Sequence, residues 1–299
     1  MTFSEQYHLF YFSAALFLLY KNLFMKKILL AVAENKLPEN ALEFIRQLNE
    51  VSPVLLTGVF LRELVYSLEP ALSYYGGMGM PVYSSETEAL IREDVKKQIN
   101  WFTETCQKNN IEYRVHDDTD DLIIRELKKE SRFADLLIIS EDAFYHLTET
   151  TEPGEYLKSI LHLMECPVLI VPEKFEFPER VIFAYDGSES AVYALKQFSY
   201  VLNELCSKEA VVVYEDLKGE RKMPDEVLIH ELAARHFSSL NFLTLDKDLF
   251  RLSAWIKIQK SPILIAGSYS RTGFSEIFKK SFIDKILKHH KLPVFIAHK

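Results

Sequence analysis

Between residues 267 and 281 the chain reads GSYSRTGFSEIFKKS. An apolar, strand-like run, Ile263–Ala266, ends in Gly267. A polar loop follows, and Lys279, Lys280 and Ser281 open a helix-like stretch. Residues of these types in this order suit the holding of a phosphate. Free backbone N–H groups and the positive end of a helix dipole attract the anion. Glycines let the backbone come close, because no Cβ occupies the ligand's space. Here Ser270 and Lys280 stand where such a cradle wants glycine. Arg271, Lys279 and Lys280 supply positive charge. Lys280 has two readings: its ammonium clamps a phosphate, or its stem fills the pocket. Ser281 also has two: it presents a hydroxyl to the phosphate, or it is only an N-cap beside surface lysines. A second strand end of interest is Asp186-Gly187, directly after the apolar run Val181–Tyr185.

Other chemical signals are weaker. In HELAARH, His230 and His236 are six residues apart, about 600° round a helix, whereas a zinc-protease pair needs a spacing of four. His289 and His290 fall in the last turn of an expected helix, where cations suit the dipole. The aspartates of HDDTDD (116–121) read as caps of the helix that follows, with a cation site as the alternative. YYGGMGMP (74–81) reads as a loop after the second strand, with a lid over the crevice as the alternative. Cys106, Cys166 and Cys206 form no CxxC pair, so neither a disulfide framework nor a zinc knuckle is expected. No Ser/His/Asp or Cys/His constellation stands at the strand ends, which favours a binding role over an enzyme.

These residues are positioned by a unit that occurs twice. KKILLAVAENKLPENALEFIRQL (26–48) resembles ERVIFAYDGSESAVYALKQFSYVL (179–202). FADLLIIS (133–140) matches KSPILIAG (260–267), and ECPVLIVPE (165–173) matches KLPVFIAHK (291–299). Each copy alternates strands with helices. Strands are expected at 27–32, 54–60, 111–115, 135–139 and 167–171, then at 180–185, 209–214, 240–245, 262–266 and 293–297. Helices are expected near 38–49, 85–108, 120–131 and 155–164, then near 189–206, 224–236, 247–258 and 281–289. The strands are continuous Val/Ile/Leu runs, the mark of parallel strands buried on both faces. In such sheets ligands bind beyond the carboxyl ends of the strands, where the strand order reverses. The expected fold class is therefore α/β: two tandem, doubly wound, five-stranded parallel-sheet domains of Rossmann-like type. Residues 25–173 form the first and 179–299 the second, joined through PEKFEFPER (172–180), which carries no hydrophobic periodicity. The terminal strands CPVLIV and LPVFIA are expected to pair with each other, because an unpaired apolar edge is an aggregation hazard.

The chain resembles the universal stress protein family in its tandem, two-domain form, over about residues 25–299. The family's pattern is an aspartate after the first strand, then G-x2-G-x9-G-[ST] from the fourth strand into the next helix. The resemblance implies the adenine nucleotide alpha hydrolase-like fold and pairing of the two domains as an intrachain pseudo-dimer. In ATP-binding members it implies that the aspartate contacts adenosine while the glycine loop wraps ribose and phosphates. Carried over, Asp186 matches the aspartate, Gly267 the first glycine and Ser281 the final serine. Ser270 and Lys280 replace the other two glycines. The first copy keeps only Gly154. Ala33 stands for the aspartate, Ser140 and Ala143 for glycines, and Glu155 puts a carboxylate where phosphate would sit. Any nucleotide is therefore expected in the second copy alone. The candidate binding residues are Asp186, Gly267, Ser270, Lys280 and Ser281, the candidate ligand is ATP or another adenine nucleotide, and no metal ligand is assigned.

The chain has 299 residues, 48% hydrophobic and 26% charged, with net charge −8. Its basic residues are interleaved with acids, so no basic face for nucleic acid is expected. A reducing cytoplasm suits three unpaired cysteines. Leu9–Tyr20 is an apolar run of 12 residues, short of the roughly 20 that span a bilayer. Residues 1–24 are expected to be an upstream extension from a misplaced start. A membrane-associating helix and a degenerate signal are the alternatives. The function expected is a universal stress protein's binding or regulatory role in the bacterial stress response. The alternatives are a nucleotide hydrolase or transferase, with Glu276 the nearby acid for Mg²⁺, and a carrier of a small ligand or lipid.

Overall fold

The computed structural model describes residues 25–33, 37–61, 85–116, 123–141, 160–216, 219, 222–246, 252–267 and 291–297. Among the described residues ten strands are interspersed with helices. The first half holds β1 (Lys26–Ala33), α1 (Glu39–Val51), β2 (Val54–Leu61), α2 (Ser85–Lys108), β3 (Glu112–His116), α3 (Ile123–Ser131), β4 (Leu136–Ser140) and β5 (Val168–Val171). The second holds β6 (Arg180–Tyr185), α4 (Glu189–Val201), a 3₁₀ turn (Asn203–Ser207), β7 (Glu209–Asp216), α5 (Glu226–Ala234), β8 (Ser239–Asp246), α6 (Leu252–Ile256), β9 (Pro262–Gly267) and β10 (Val294–Ala297).

The strands form one sheet in the order β3-β2-β1-β4-β5-β10-β9-β6-β7-β8. Outward from the centre, each half places its fifth, fourth, first, second and third strand. Every contact within a half is parallel, while β5 and β10 pair antiparallel, Leu169 opposite Phe295. The two terminal apolar runs thus shelter each other's edges, and the two runs of five strands become a single ten-stranded sheet.

The burial follows from the sequence pattern. Within β1, Ile28, Leu30 and Val32 face one apolar layer, and Leu29, Ala31 and Ala33 face the other. Both faces are covered, so the run is apolar throughout. α1, α2, α4 and α5 cover the first layer with residues such as Phe44, Phe102, Phe198 and Ile229. α3, α6 and the segment around Ile160 cover the second. Each such large side chain contributes about 1.5–3 kcal/mol by leaving water. The outer strands differ, because among the described strands each is paired on one edge only. β3 and β8 consist mainly of exposed and half-buried residues.

The joining segment makes apolar contacts of its own, since Phe175 and Phe177 lay their rings against Phe44 of α1 at 5.7 and 5.1 Å. It is thereby held on the first layer. The single helix expected over 189–206 ends at Val201. Leu202 leaves helical geometry at ψ 46°, and a 3₁₀ turn follows that buries Leu205 and Cys206. Just there Glu204 forms an ion pair with Lys26, 2.5 Å apart, with side chains only 7% and 12% exposed. Among the described residues no helix is long and apolar enough to cross a membrane.

Candidate functional site

The strand order reverses between β6 and β9 in the second half and between β1 and β4 in the first. Those two carboxyl-end crevices are the candidate sites.

In the second half, β6 and β9 run in register, Ala184 opposite Ala266. Asp186 follows β6 and Gly267 closes β9, so the two are brought together. Ser270, Lys280 and Ser281 lie outside the described residues, as do Arg271, Lys279 and Glu276. Asp186 is half-buried. Its Oδ1 accepts the Ser188 N–H at 2.9 Å, an Asx-type turn. Ser188 in turn caps α4, its hydroxyl accepting the Ala191 N–H at 3.1 Å. Between them Gly187 takes a left-handed conformation, φ 81°, and a Cβ there would come within 2.8 Å of Pro224. Asp186 thus has a structural duty that its sequence position alone does not reveal. Its Oδ2 makes no hydrogen bond among the described residues.

Gly267 also has a duty of its own. A Cβ at this position would lie 2.5 Å from the Ser190 carbonyl carbon and 2.5 Å from the Ala191 nitrogen. These are backbone atoms of the first turn of α4, so no side-chain rotation relieves the clash. The residue that resembles the first glycine of a phosphate loop is required by close packing of strand on helix.

Three residues near this turn were not singled out as site residues from sequence. Tyr185 is buried, and its hydroxyl is pushed up to about 12 by burial and by the carboxylates of Asp225 and Asp186. It therefore stays a neutral O–H. Asp225 sits in left-handed backbone, φ 47°, beside the Pro224 that packs on Gly187. Asp216, 2% exposed, closes β7 and accepts the Gly219 N–H at 2.9 Å. It lies opposite Asp246 at the end of β8. The signal was in the sequence: β6, β7 and β8 each end in, or run directly into, an aspartate. Together they make this end of the second half acidic. Among the described residues no group of three or more His, Cys, Asp or Glu side chains comes together to hold a metal ion.

The first half fills the same place differently. Ser140, which corresponds to Gly267, donates its hydroxyl to Asn40 Oδ1 at 2.7 Å. The Asn40 amide donates to the carbonyls of Val171 and Pro172 at 2.9 and 2.8 Å. Gln98, 7% exposed, donates to the Ala33 carbonyl at 2.9 Å where Asp186 has its counterpart. These contacts tie the strand ends to α1 and α2. Ala143, Gly154 and Glu155 lie outside the described residues.

The remaining candidates have local roles. His230 stacks on Phe242 at 4.7 Å, and His236 meets Tyr200 edge-on at 5.5 Å. Cys106, Cys166 and Cys206 are free and buried, their thiols pushed up to about 12, 12 and 11, chiefly by burial. His289, His290, the aspartates of 117–121 and the loop at 74–81 lie outside the described residues.

An α/β protein with a mostly parallel sheet and crevices at its switch points is the class this architecture defines. No family model matches the chain, and no curated protein matches it. Among solved structures it is similar to a universal stress protein from Archaeoglobus fulgidus, with a TM-score of 0.64 and 14% identity over 92% of this chain and 96% of that one. At that identity the likeness shows the fold.

Proposed function

We propose that this chain is a tandem universal-stress-type protein with a binding or regulatory role in a bacterial stress response, and that it holds an adenine nucleotide weakly, in its second half only. The observation that carries this reading is the difference between the two crevices. In the first, Ser140, Asn40 and Gln98 tie the strand ends together. In the second, Asp186 offers a carboxylate oxygen beside Gly267, with the neutral Tyr185 hydroxyl next to it in sequence. A ribose or an adenine amine can donate to that carboxylate. Phosphates fare less well there, because Asp216 and Asp246 lie side by side at the ends of β7 and β8 and Asp225 lies near Tyr185, which adds negative charge at this end of the half. The replacement of cradle glycines by Ser270 and Lys280 acts in the same direction. Affinity is therefore expected near ~100 μM rather than 1 μM, since losing contacts worth roughly 3 kcal/mol costs about a hundredfold. The likeness of fold to the Archaeoglobus protein supports the universal-stress-type reading, and the matching outward strand order of the two halves supports the tandem one. Three separate free thiols suit a reducing cytoplasm. Mass spectrometry of small molecules released from the purified protein, after equilibration with an ATP-containing extract, tests the function. Recovery of an adenine nucleotide is the expected result. Recovery of a lipid or another apolar ligand instead would turn the reading to a carrier.

A further inference from the structure

The sheet has two unlike outer edges. β3 is short, and its exposed Glu112 and Arg114 form an ion pair along the strand. β8 is eight residues long, SLNFLTLD, with no proline and no charge before Asp246. Among the described strands it pairs with β7 alone. α5, which packs on the core through Ile229 and Ala233, leaves Val227 79% and Leu228 64% exposed. His230 lies one helical turn after Val227 and stacks on Phe242. Apolar surface therefore continues from the helix onto the strand. A long, uncharged open edge is a template for another strand.

We propose that β8 is a self-association edge, through which two copies of this chain join by antiparallel pairing of β8 with β8. Two observations select this occupant. The sheet already closes its central junction in the same manner, since β5 and β10 are the terminal strands of the two halves and pair antiparallel. A second copy therefore extends one continuous sheet by a join that its twist accepts. The charges also permit it. Antiparallel twofold pairing centred near Phe242 places the two Asp246 carboxylates at opposite ends of the ladder, so Ser239–Leu245 meets its like with no charge opposing another.

Seven paired residues, Ser239–Leu245, and the adjoining face of α5 make a small interface, of the weak and concentration-dependent class. Sedimentation velocity of the full chain from about 5 to about 500 μM spans that class, and a shift from monomer to dimer is the expected result. Hydrogen exchange on the same samples should show every second amide of Ser239–Asp246 gaining protection at high concentration, because only outward-facing N–H groups find new partners. Thr244→Lys and Val227→Lys replace exposed residues. Each should weaken association tenfold or more while leaving the monomer's thermal melting in place. A chain that stays monomeric throughout overturns the proposal. So does a dimer whose β8 amides gain no protection, the outcome for a dimer joined elsewhere. If a lysine variant melts early, exchange in the wild-type chain decides alone.

Discussion

Replacing Gly267 with alanine tests whether this glycine serves packing or ligand. The added Cβ would stand 2.5 Å from two backbone atoms of Ser190 and Ala191, where ordinary contacts begin at 3.4 Å. Strand β9 or the first turn of α4 must then move by roughly 0.9 Å, in a core packed as densely as a crystal. Overpacking of this kind costs about 1–3 kcal/mol, and rigid backbone on the far side puts the cost near the upper end. For a protein of this size that is a fall in Tm of about 3–5 °C. The comparison is Ser140→Ala in the first half. It removes one hydrogen bond to Asn40 and should cost about 1 kcal/mol. Thermal and urea unfolding of the two variants, without nucleotide, separate the cases. A Gly267→Ala protein as stable as wild type would refute the packing argument and return the glycine to the ligand.

Other outcomes follow from the same contacts. Lys26→Ala should cost about 3–5 kcal/mol, because it strands the Glu204 carboxylate in a site 7% exposed. Replacing both partners by leucine should recover much of that in urea unfolding. Asn40→Ala should cost about 2 kcal/mol, since the Val171 and Pro172 carbonyls both lose their donor, yet leave nucleotide affinity unchanged in a titration. The folded-state thiols of Cys106, Cys166 and Cys206 and the Tyr185 hydroxyl are all raised to about 11–12, and folding holds each neutral. Their contribution to stability is complete below the ordinary thiol value of 9.0 and is lost as pH rises towards 12. Tm should fall over that window, and a thiol reagent at pH 8 should label no cysteine of the folded chain but all three in denaturant.

Much of the fold was legible because buried parallel strands leave an unambiguous mark. Runs such as KILLAV and VLIV have no polar face, and their recurrence gave strand positions within one or two residues. The pairing of β5 with β10 followed from the need to cover two apolar edges. The edge strands were harder, since β8 mixes Ser, Asn and Thr into its run and reads as weaker than it is. The break at Leu202 was hidden because Asn203–Ser207 continues a helix-compatible composition, and only the burial of Leu205 and Cys206 tightens it into a 3₁₀ turn. At the site, residue types were legible and duties were not. Asp186 and Gly267 match a nucleotide pattern, yet one closes an Asx turn and the other admits α4 against β9. The bonds of Ser140 to Asn40 and of Gln98 to Ala33 join residues 65 to 100 positions apart, which no local pattern foretells.

Calorimetric titration of ATP into wild type, Asp186→Ala and Ser140→Ala tests the one-sided nucleotide site most directly. The expected result is binding near ~100 μM in wild type, unchanged in Ser140→Ala and weakened about tenfold or more in Asp186→Ala, where one charge-assisted hydrogen bond is lost. Binding that survives Asp186→Ala undiminished, or a wild-type chain that takes up no ATP at millimolar concentration, would contradict it.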